Sequence, residues 1–381
     1  VGGKFHAFDL AKELNKQKYL NSIVTSYPKF LVNKYTIEND KINTIILKEV
    51  ALKIINRFPI LKKKIDSDYL LSNYFSKKAA NLINYLNIDL IIGWSSFSRE
   101  AFLKAKDYKC IKILERGSTH IQFQKEILKK EYLELNLEPI IPSENTIRKE
   151  LEEYNLADYI SVPSEFVKKT FIMYGIDEKK IIKVPYGVNL NEFNLDRPRQ
   201  NEKKKFRIIS VGTVSIRKGS HYLIKAFTEL NLKNAELIFV GSIEHDFKKL
   251  LKNFINLKNV KFIKKQKQED LKNYYNEADI FVQCSLEEGL AVVQAQAMAC
   301  GLPVICTENT GGSEIIDDGV NGFVIPIRNI NILKDKILIF YSNEDKLKKM
   351  SFLAHQKAQK DLSWENYGKK ISNIYLNLLN H

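Results

Sequence analysis

Glu288 and Gln296 stand eight positions apart, and between them lies the run Gly289-Leu290-Ala291-Val292-Val293-Gln294-Ala295. Eight residues is about two helical turns, so a carboxylate at the start of a helix and an amide further along it share one flank. The carboxylate accepts hydrogen bonds from hydroxyl groups, and the amide can donate or accept them. The backbone N–H groups of Gly289, Leu290 and Ala291 fall at the expected helix start, where unpaired donors and the helix dipole favour an anion. A phosphate suits one end of this set, and sugar hydroxyls suit the other. A second set, Arg217-Lys218-Gly219, places two adjacent cations ahead of another expected helix.

The elements that must carry these groups can be read from the pattern around them. The apolar run 279–282 predicts a buried strand, and residues 290–300 contain no breaker and carry Ala and Met at helical spacing. Gly301 and Pro303 end that helix and hand the chain to another apolar strand. The cations follow a strand at 206–211 and precede a helix with Leu223, Ala226 and Phe227 on its inner face. Strands at 236–240 and 260–263 alternate with helices, which predicts a parallel sheet.

With Glu288-Gly289 followed by Ala297-Met298-Ala299-Cys300-Gly301-Leu302-Pro303-Val304, the chain resembles the retaining family 4 glycosyltransferases of the GT-B architecture. That resemblance implies an α/β fold of two Rossmann-like domains with parallel sheets facing across a cleft. It also implies transfer of a hexosyl group from a nucleoside-diphosphate sugar, UDP- or GDP-linked, to a glycan or lipid-linked acceptor, with no cofactor required. Gln296 stands where the family has a second glutamate, and Thr213 where it usually has an arginine. An amide binds ribose hydroxyls without the charge-assisted strength of a carboxylate. Arg217, next to the matching Lys218, is then expected to supply the missing charge on the diphosphate.

Further roles follow from the resemblance. Gly2-Gly3 becomes the glycine loop under the diphosphate, Lys264 lies where the base is contacted, and His120 meets the donor sugar near its reacting carbon. Glu288 and His120 are thus the expected catalytic pair, with the alternative for His120 being a helix-capping stretch from Ser118. The Gly2-Gly3 pair can also be a simple tight turn. Trp94 and Ser95, after the strand at 90–93, and Arg116, after the strand at 111–114, are acceptor-side candidates because ligands bind beyond the carboxyl ends of strands in open parallel sheets. A buried structural Trp94 fits equally well. No Asp-x-Asp pair stands at a strand end, so no metal is expected, and Asp317-Asp318 reads as turn chemistry before Gly319.

Length and composition set the bounds. The 381 residues are ample for two cores. The expected division is 1–195, 196–361 and a final helix in 362–381 that crosses back to the first domain, with the polar run 196–205 as linker. The resemblance also implies a strand ahead of Gly2, so residues upstream of Val1 are expected. The net charge of +15 is mostly lysine, and without an arginine-aromatic motif nucleic acid is not an expected partner. The four cysteines form no CxxC pair and read as reduced core thiols of a cytoplasmic protein. The lysine-rich segment 45–86 suits docking at the inner face of an anionic membrane, or is a solvated helix face. Surface polysaccharide or glycolipid synthesis is the setting the resemblance implies. A sugar-nucleotide epimerase of related form, and a non-catalytic nucleotide-sugar or glycan binder suggested by Gln296 and Thr213, remain as other classes.

Overall fold

A computed structural model describes residues 1–3, 5–57, 66–195, 205–254 and 257–380. Its strands, in chain order, are β1 (Ile23–Thr25), β2 (Ile42–Thr44), β3 (Leu90–Trp94), β4 (Ile111–Glu115), β5 (Tyr159–Val162) and β6 (Ile181–Lys183). They continue with β7 (Phe206–Val211), β8 (Ala235–Val240), β9 (Val260–Ile263), β10 (Ile280–Gln283), β11 (Val304–Thr307) and β12 (Gly322–Ile325). All pairings between these strands are parallel, and helices supply the crossovers, as parallel pairing requires.

Three sheets result. β1 and β2 pair with each other, β3-β4-β5-β6 lie side by side, and a six-stranded sheet has the order β12-β11-β10-β7-β8-β9. An apolar cavity of about 630 Å³ is lined by residues of both β1 and β3, together with Leu10, Leu14 and Phe75 from flanking helices. The α/β class and the two Rossmann-like halves agree with the sequence reading. The linker expected at 196–205 lies, apart from Lys205, outside the described residues.

Burial follows the parallel architecture. β10 and β11 are buried at every position, because helices cover both faces of the central strands. The second core gathers Ile208, Leu223, Ala226, Leu237, Phe239 and Val282, among others, around that sheet. Tyr132, from the first half, belongs to the same cluster. All four cysteines are free and buried.

The last helix, Trp364–Leu379, starts from Ser363, whose side chain accepts from Asn366 N. Its buried face of Tyr367, Ile371 and Tyr375 recurs at i, i+4 and i+8, as a single helical stripe does. That stripe joins Ala7, Leu10 and Leu14 of the first helix, Ala7–Lys16, in one core. Tyr375 also donates its hydroxyl to Glu115 Oε1 at 3.4 Å. The return is anchored by Val188 N, which donates to Leu362 O at 2.7 Å. No helix among the described residues is long and apolar enough to cross a membrane.

Candidate functional site

The acidic turn after β10 is built by exchange of hydrogen bonds with its neighbours. Leu286 N donates to Arg217 O at 2.9 Å, and Glu288 N donates to Asn309 O at 2.8 Å. Asn309 Nδ2 donates to Leu286 O at 2.9 Å, so the turn is held from both sides. The helix behind it, Val292–Ala299, begins two residues later than the sequence predicts. Leu290 and Ala291 therefore belong to the turn, and Ala291 provides no side-chain cap.

Two glycines allow the close approaches. A Cβ at Gly289 would stand 2.1 Å from Gly117 O, so only glycine lets this turn meet the loop after β4. Gly219 precedes the helix Ser220–Leu230 with a φ of 59°, and a Cβ there would lie 1.9 Å from Cys284 O. This contact brings Arg217-Lys218 against the acidic turn.

The four charges pair two by two. Lys218 Nζ forms an ion pair with Glu288 Oε1. Arg217 Nη2 lies 2.9 Å from Glu287 Oε1 and donates to Ser118 Oγ at 3.1 Å. Burial works against the Arg217 charge, but Glu287 and Glu288 hold the guanidinium above its ordinary value. Burial would also raise the Glu287 carboxyl, yet Arg217, Ser118, Thr119 and Arg116 bring it down to about 2.

Glu287 was not singled out in the sequence, although it adjoins Glu288. It is fully buried and accepts from Ser118 Oγ at 2.6 Å, Thr119 Oγ1 at 2.9 Å, Thr119 N at 3.3 Å and Gln124 Nε2 at 2.9 Å. These donors come from the first half of the chain, 163 to 169 residues away. Beside this contact Ser164 Oγ donates to Gly289 O at 2.7 Å, and Glu165 N donates to Glu314 Oε1 at 2.6 Å.

A cavity of about 380 Å³ opens between the halves and is lined by Trp94, Ser95 and Arg116, with His6, Ser118 and Arg217. The three acceptor-side candidates thus meet Arg217, one of the two cations expected on the diphosphate. Arg116 is committed to internal partners. Its Nη1 is 2.8 Å from Glu150 Oε2, Nε donates to Thr119 O at 3.0 Å, and Nη2 donates to Gln124 Oε1 at 3.2 Å. Ser95 Oγ accepts from Arg116 Nη1 at 3.2 Å. Trp94 is buried, and its Nε1 has no hydrogen-bond partner among the described residues.

His6 is more than a residue at a helix start. Its Nε2 lies 3.1 Å from Glu115 Oε2, with the Tyr186 ring at 4.2 Å and the Trp94 ring at 5.5 Å. Only its place after the glycine pair hinted at this in the sequence. Gly2 is buried under the Phe97 ring and its carbonyl accepts from Lys48 Nζ, while Gly3 faces the Phe5 ring. Lys48 and Phe97 both line the cavity between the halves.

His120 is placed away from that cavity's lining. Its ring stacks on Tyr174 at 4.5 Å and touches Phe171 and Tyr154 at 5.1 and 5.0 Å. Nδ1 accepts from Gln122 N at 3.3 Å, which caps the helix Ile121–Glu134. Its carbonyl accepts from Gln124 N at 3.0 Å. Burial and then Arg116 push its pKa down to about 4. The His120 side chain is thus the cap of this helix.

Gln296 is buried and its Oε1 accepts from Tyr275 OH at 3.1 Å. Lys264 is exposed just after the edge strand β9. Among the described residues no group of three or more His, Cys, Asp or Glu side chains is arranged to hold a metal. Asp317 instead accepts from Asn321 Nδ2 at 3.1 Å, and Asp318 Oδ1 from Val324 N at 2.9 Å.

Residues 2–192 match the model described as Glycosyltransferase Family 4, and residues 192–357 match Glycosyl transferases group 1. The chain belongs to the family 4 glycosyltransferases.

This glycosyltransferase is similar to an uncharacterised glycosyltransferase of Methanocaldococcus jannaschii, 27% identical over 331 residues that cover 84% of each chain. It is also similar to a GDP-mannose-dependent phosphatidylinositol monomannoside mannosyltransferase of Corynebacterium glutamicum. That match is 24% identical over 252 residues, 61% of this chain and 65% of the relative. Among solved structures, the Anabaena protein HepE in complex with UDP-glucose superposes with a TM-score of 0.68 at 17% identity, covering 99% of this chain and 96% of its own. The likeness in fold identifies the architecture as GT-B.

Proposed function

We propose that this glycosyltransferase transfers a hexosyl group from a UDP- or GDP-linked sugar to a glycan or lipid-linked acceptor, retaining the anomeric configuration without a metal ion. The observation that carries this reading is the pair Arg217-Lys218, gathered in front of the helix Ser220–Leu230 and matched charge for charge by Glu287-Glu288. A departing nucleoside diphosphate needs its growing negative charge stabilised, and fixed cations in a partly enclosed site do so at no cost in reorganisation. A diphosphate drawn to Lys218 exchanges with Glu288, which frees that carboxylate for sugar hydroxyls. Gly289, Leu290 and Ala291 offer backbone N–H groups to the same anion.

In the reaction, the bond from the sugar C1 to the diphosphate oxygen breaks while the acceptor oxygen bonds C1 on the same face. The acceptor's proton passes to the departing oxygen, so no side-chain nucleophile is needed. Gln296 offers Nε2 to the ribose, since Tyr275 occupies Oε1. His120 caps the helix that follows the loop bearing Ser118 and Thr119. Trp94, Ser95 and His6 line the acceptor side. A lipid-linked acceptor is supported by the helix Leu47–Arg57, which leaves Leu47, Val50 and Ile54 exposed beside Lys53 and Arg57. Such an apolar and basic face suits an anionic membrane. HepE was solved with UDP-glucose and the Corynebacterium relative is named for GDP-mannose, so both nucleotides belong in the test.

The test is thermal stabilisation by UDP- and GDP-sugars, followed by NMR of the product formed in the presence of EDTA. A bound nucleotide sugar raises the midpoint by mass action. Stabilisation and a product with the donor's anomeric configuration are expected. No stabilisation by any nucleotide sugar would refute the donor site, and an inverted product would refute the same-face step.

A further inference from the structure

We propose that Glu287 is a positioning residue that couples closure of the two domains to the grip of Arg217 on the donor diphosphate. The inference rests on the proposed nucleotide-sugar reading and goes beyond the residues that touch the donor. Glu287 Oε2 takes three donors, Ser118 Oγ, Thr119 Oγ1 and Thr119 N, and Oε1 takes Gln124 Nε2 and Arg217 Nη2. All but the last belong to the first domain. A carboxylate offers about four lone-pair sites, so in this closed arrangement Glu287 is saturated from across the cleft.

That saturation decides what Arg217 can do. In the closed arrangement Glu287 holds it through Nη2, which also serves Ser118 Oγ, while Nε is buried and has no hydrogen-bond partner among the described residues. The guanidinium has five N–H donors in a fixed fork, so one edge is anchored and another is left for a phosphate oxygen. Arg217 also lines the cavity between the domains. If the domains part, Ser118, Thr119 and Gln124 leave with the first domain and Glu287 keeps only Arg217. The two then form a full forked pair, the geometry that suits them best, and the diphosphate must compete with it. Closure distributes Glu287 among the first-domain donors and releases Arg217 for the donor substrate. Linkage makes the effect reciprocal, so a bound diphosphate favours closure by the same factor.

Glu288 complements this arrangement, for it holds Lys218 and, among the described residues, makes no comparable contact across the cleft. The acidic pair thus divides into one carboxylate that senses the first domain and one that exchanges with the ligand. Thr119 is the cleanest place to interrogate the idea, because it is fully buried, reaches Glu287 through its hydroxyl, and does not line the cleft cavity.

The experiment measures binding of UDP and of GDP, by calorimetry, to the full chain and to Thr119→Val, Thr119→Ser and Glu287→Gln. Thr119→Val removes one hydroxyl donor to a charged acceptor and should weaken nucleotide binding by about tenfold, while Thr119→Ser restores it. Glu287→Gln loses both the acceptor for the first-domain donors and the carboxylate that competes for Arg217, so adding Thr119→Val to it should change nucleotide affinity no further, and in turnover the donor KM of Thr119→Val should rise while the acceptor KM stays. If Thr119→Ser fails to rescue, the Val effect is one of packing and the coupling is refuted. Unchanged affinity in Thr119→Val refutes it as well, even if Glu287→Gln does not fold. If the unaltered chain binds neither UDP nor GDP, the donor reading and the coupling fall together.

Discussion

Replacing Glu287 with glutamine should make the stability of the chain less sensitive to acid. The folded carboxyl lies at about 2 against an ordinary value of 4.5. A depressed carboxyl contributes stability that is fully present above its unfolded pKa and lost as pH falls through the folded one. The gap of about 2.5 units, at about 1.36 kcal/mol per unit, corresponds to about 3 kcal/mol. Of this, about 1 kcal/mol is lost by pH 4 and about 2 kcal/mol by pH 3. Glutamine has no such titration, so the stability difference between the natural chain and Glu287→Gln should shrink by those amounts on acidification. Urea unfolding at pH 6, 4 and 3, followed by the fluorescence of Trp94 and Trp364, measures the difference. A gap that stays constant over this range would show that Glu287 is not held ionised by Arg217 and the Ser118 and Thr119 donors, and the electrostatic account of the acidic turn would be wrong.

Lys218→Ala should lower kcat by about a hundredfold or more at saturating donor, because one fixed charge on the leaving group is lost; steady-state turnover checks it. Gly289→Ala should disrupt the cleft, since its Cβ would meet Gly117 O at 2.1 Å, and both the thermal midpoint and nucleotide binding should fall. Glu131 is buried beneath His221 Nε2 at 2.8 Å, Tyr222 OH at 2.7 Å and Arg328 Nε at 2.7 Å. Glu131→Ala takes their acceptor from His221 and Tyr222 and leaves Arg328, among the described residues, only Glu134 at 3.7 Å, and should cost about 3 to 5 kcal/mol in urea unfolding. His120→Ala should lower stability by about 1 kcal/mol through loss of a helix cap, with kcat reduced far less than in Lys218→Ala.

The second half of the fold was legible because its signals are local. The strand at β10, the uninterrupted helix after it and the stop at Gly301 and Pro303 each follow from neighbours in the chain. The helix began two residues late because Ala291 makes no cap and the acidic turn is held by Asn309 and Arg217, neither of which local periodicity reveals. Glu287 was missed for a related reason. Its adjacent twin Glu288 carried the recognisable spacing, whereas the donors that give Glu287 its role lie more than 160 residues earlier. For His120 the pattern located the residue, but the direction of its ring depends on Tyr154, Phe171 and Tyr174, which arrive on other helices. His6 likewise gained meaning only when β4 delivered Glu115 beside it.

The final helix has a consequence for biosynthesis. Its stripe of Tyr367, Ile371 and Tyr375 shares a core with Ala7, Leu10 and Leu14, which a ribosome makes some 360 residues sooner. The nascent amino-terminal half must therefore wait with an uncovered apolar seam while the whole second half is synthesised and folds. Chaperone protection during that interval, and release from it only after Tyr375 has cleared the exit tunnel, should mark the maturation of this chain.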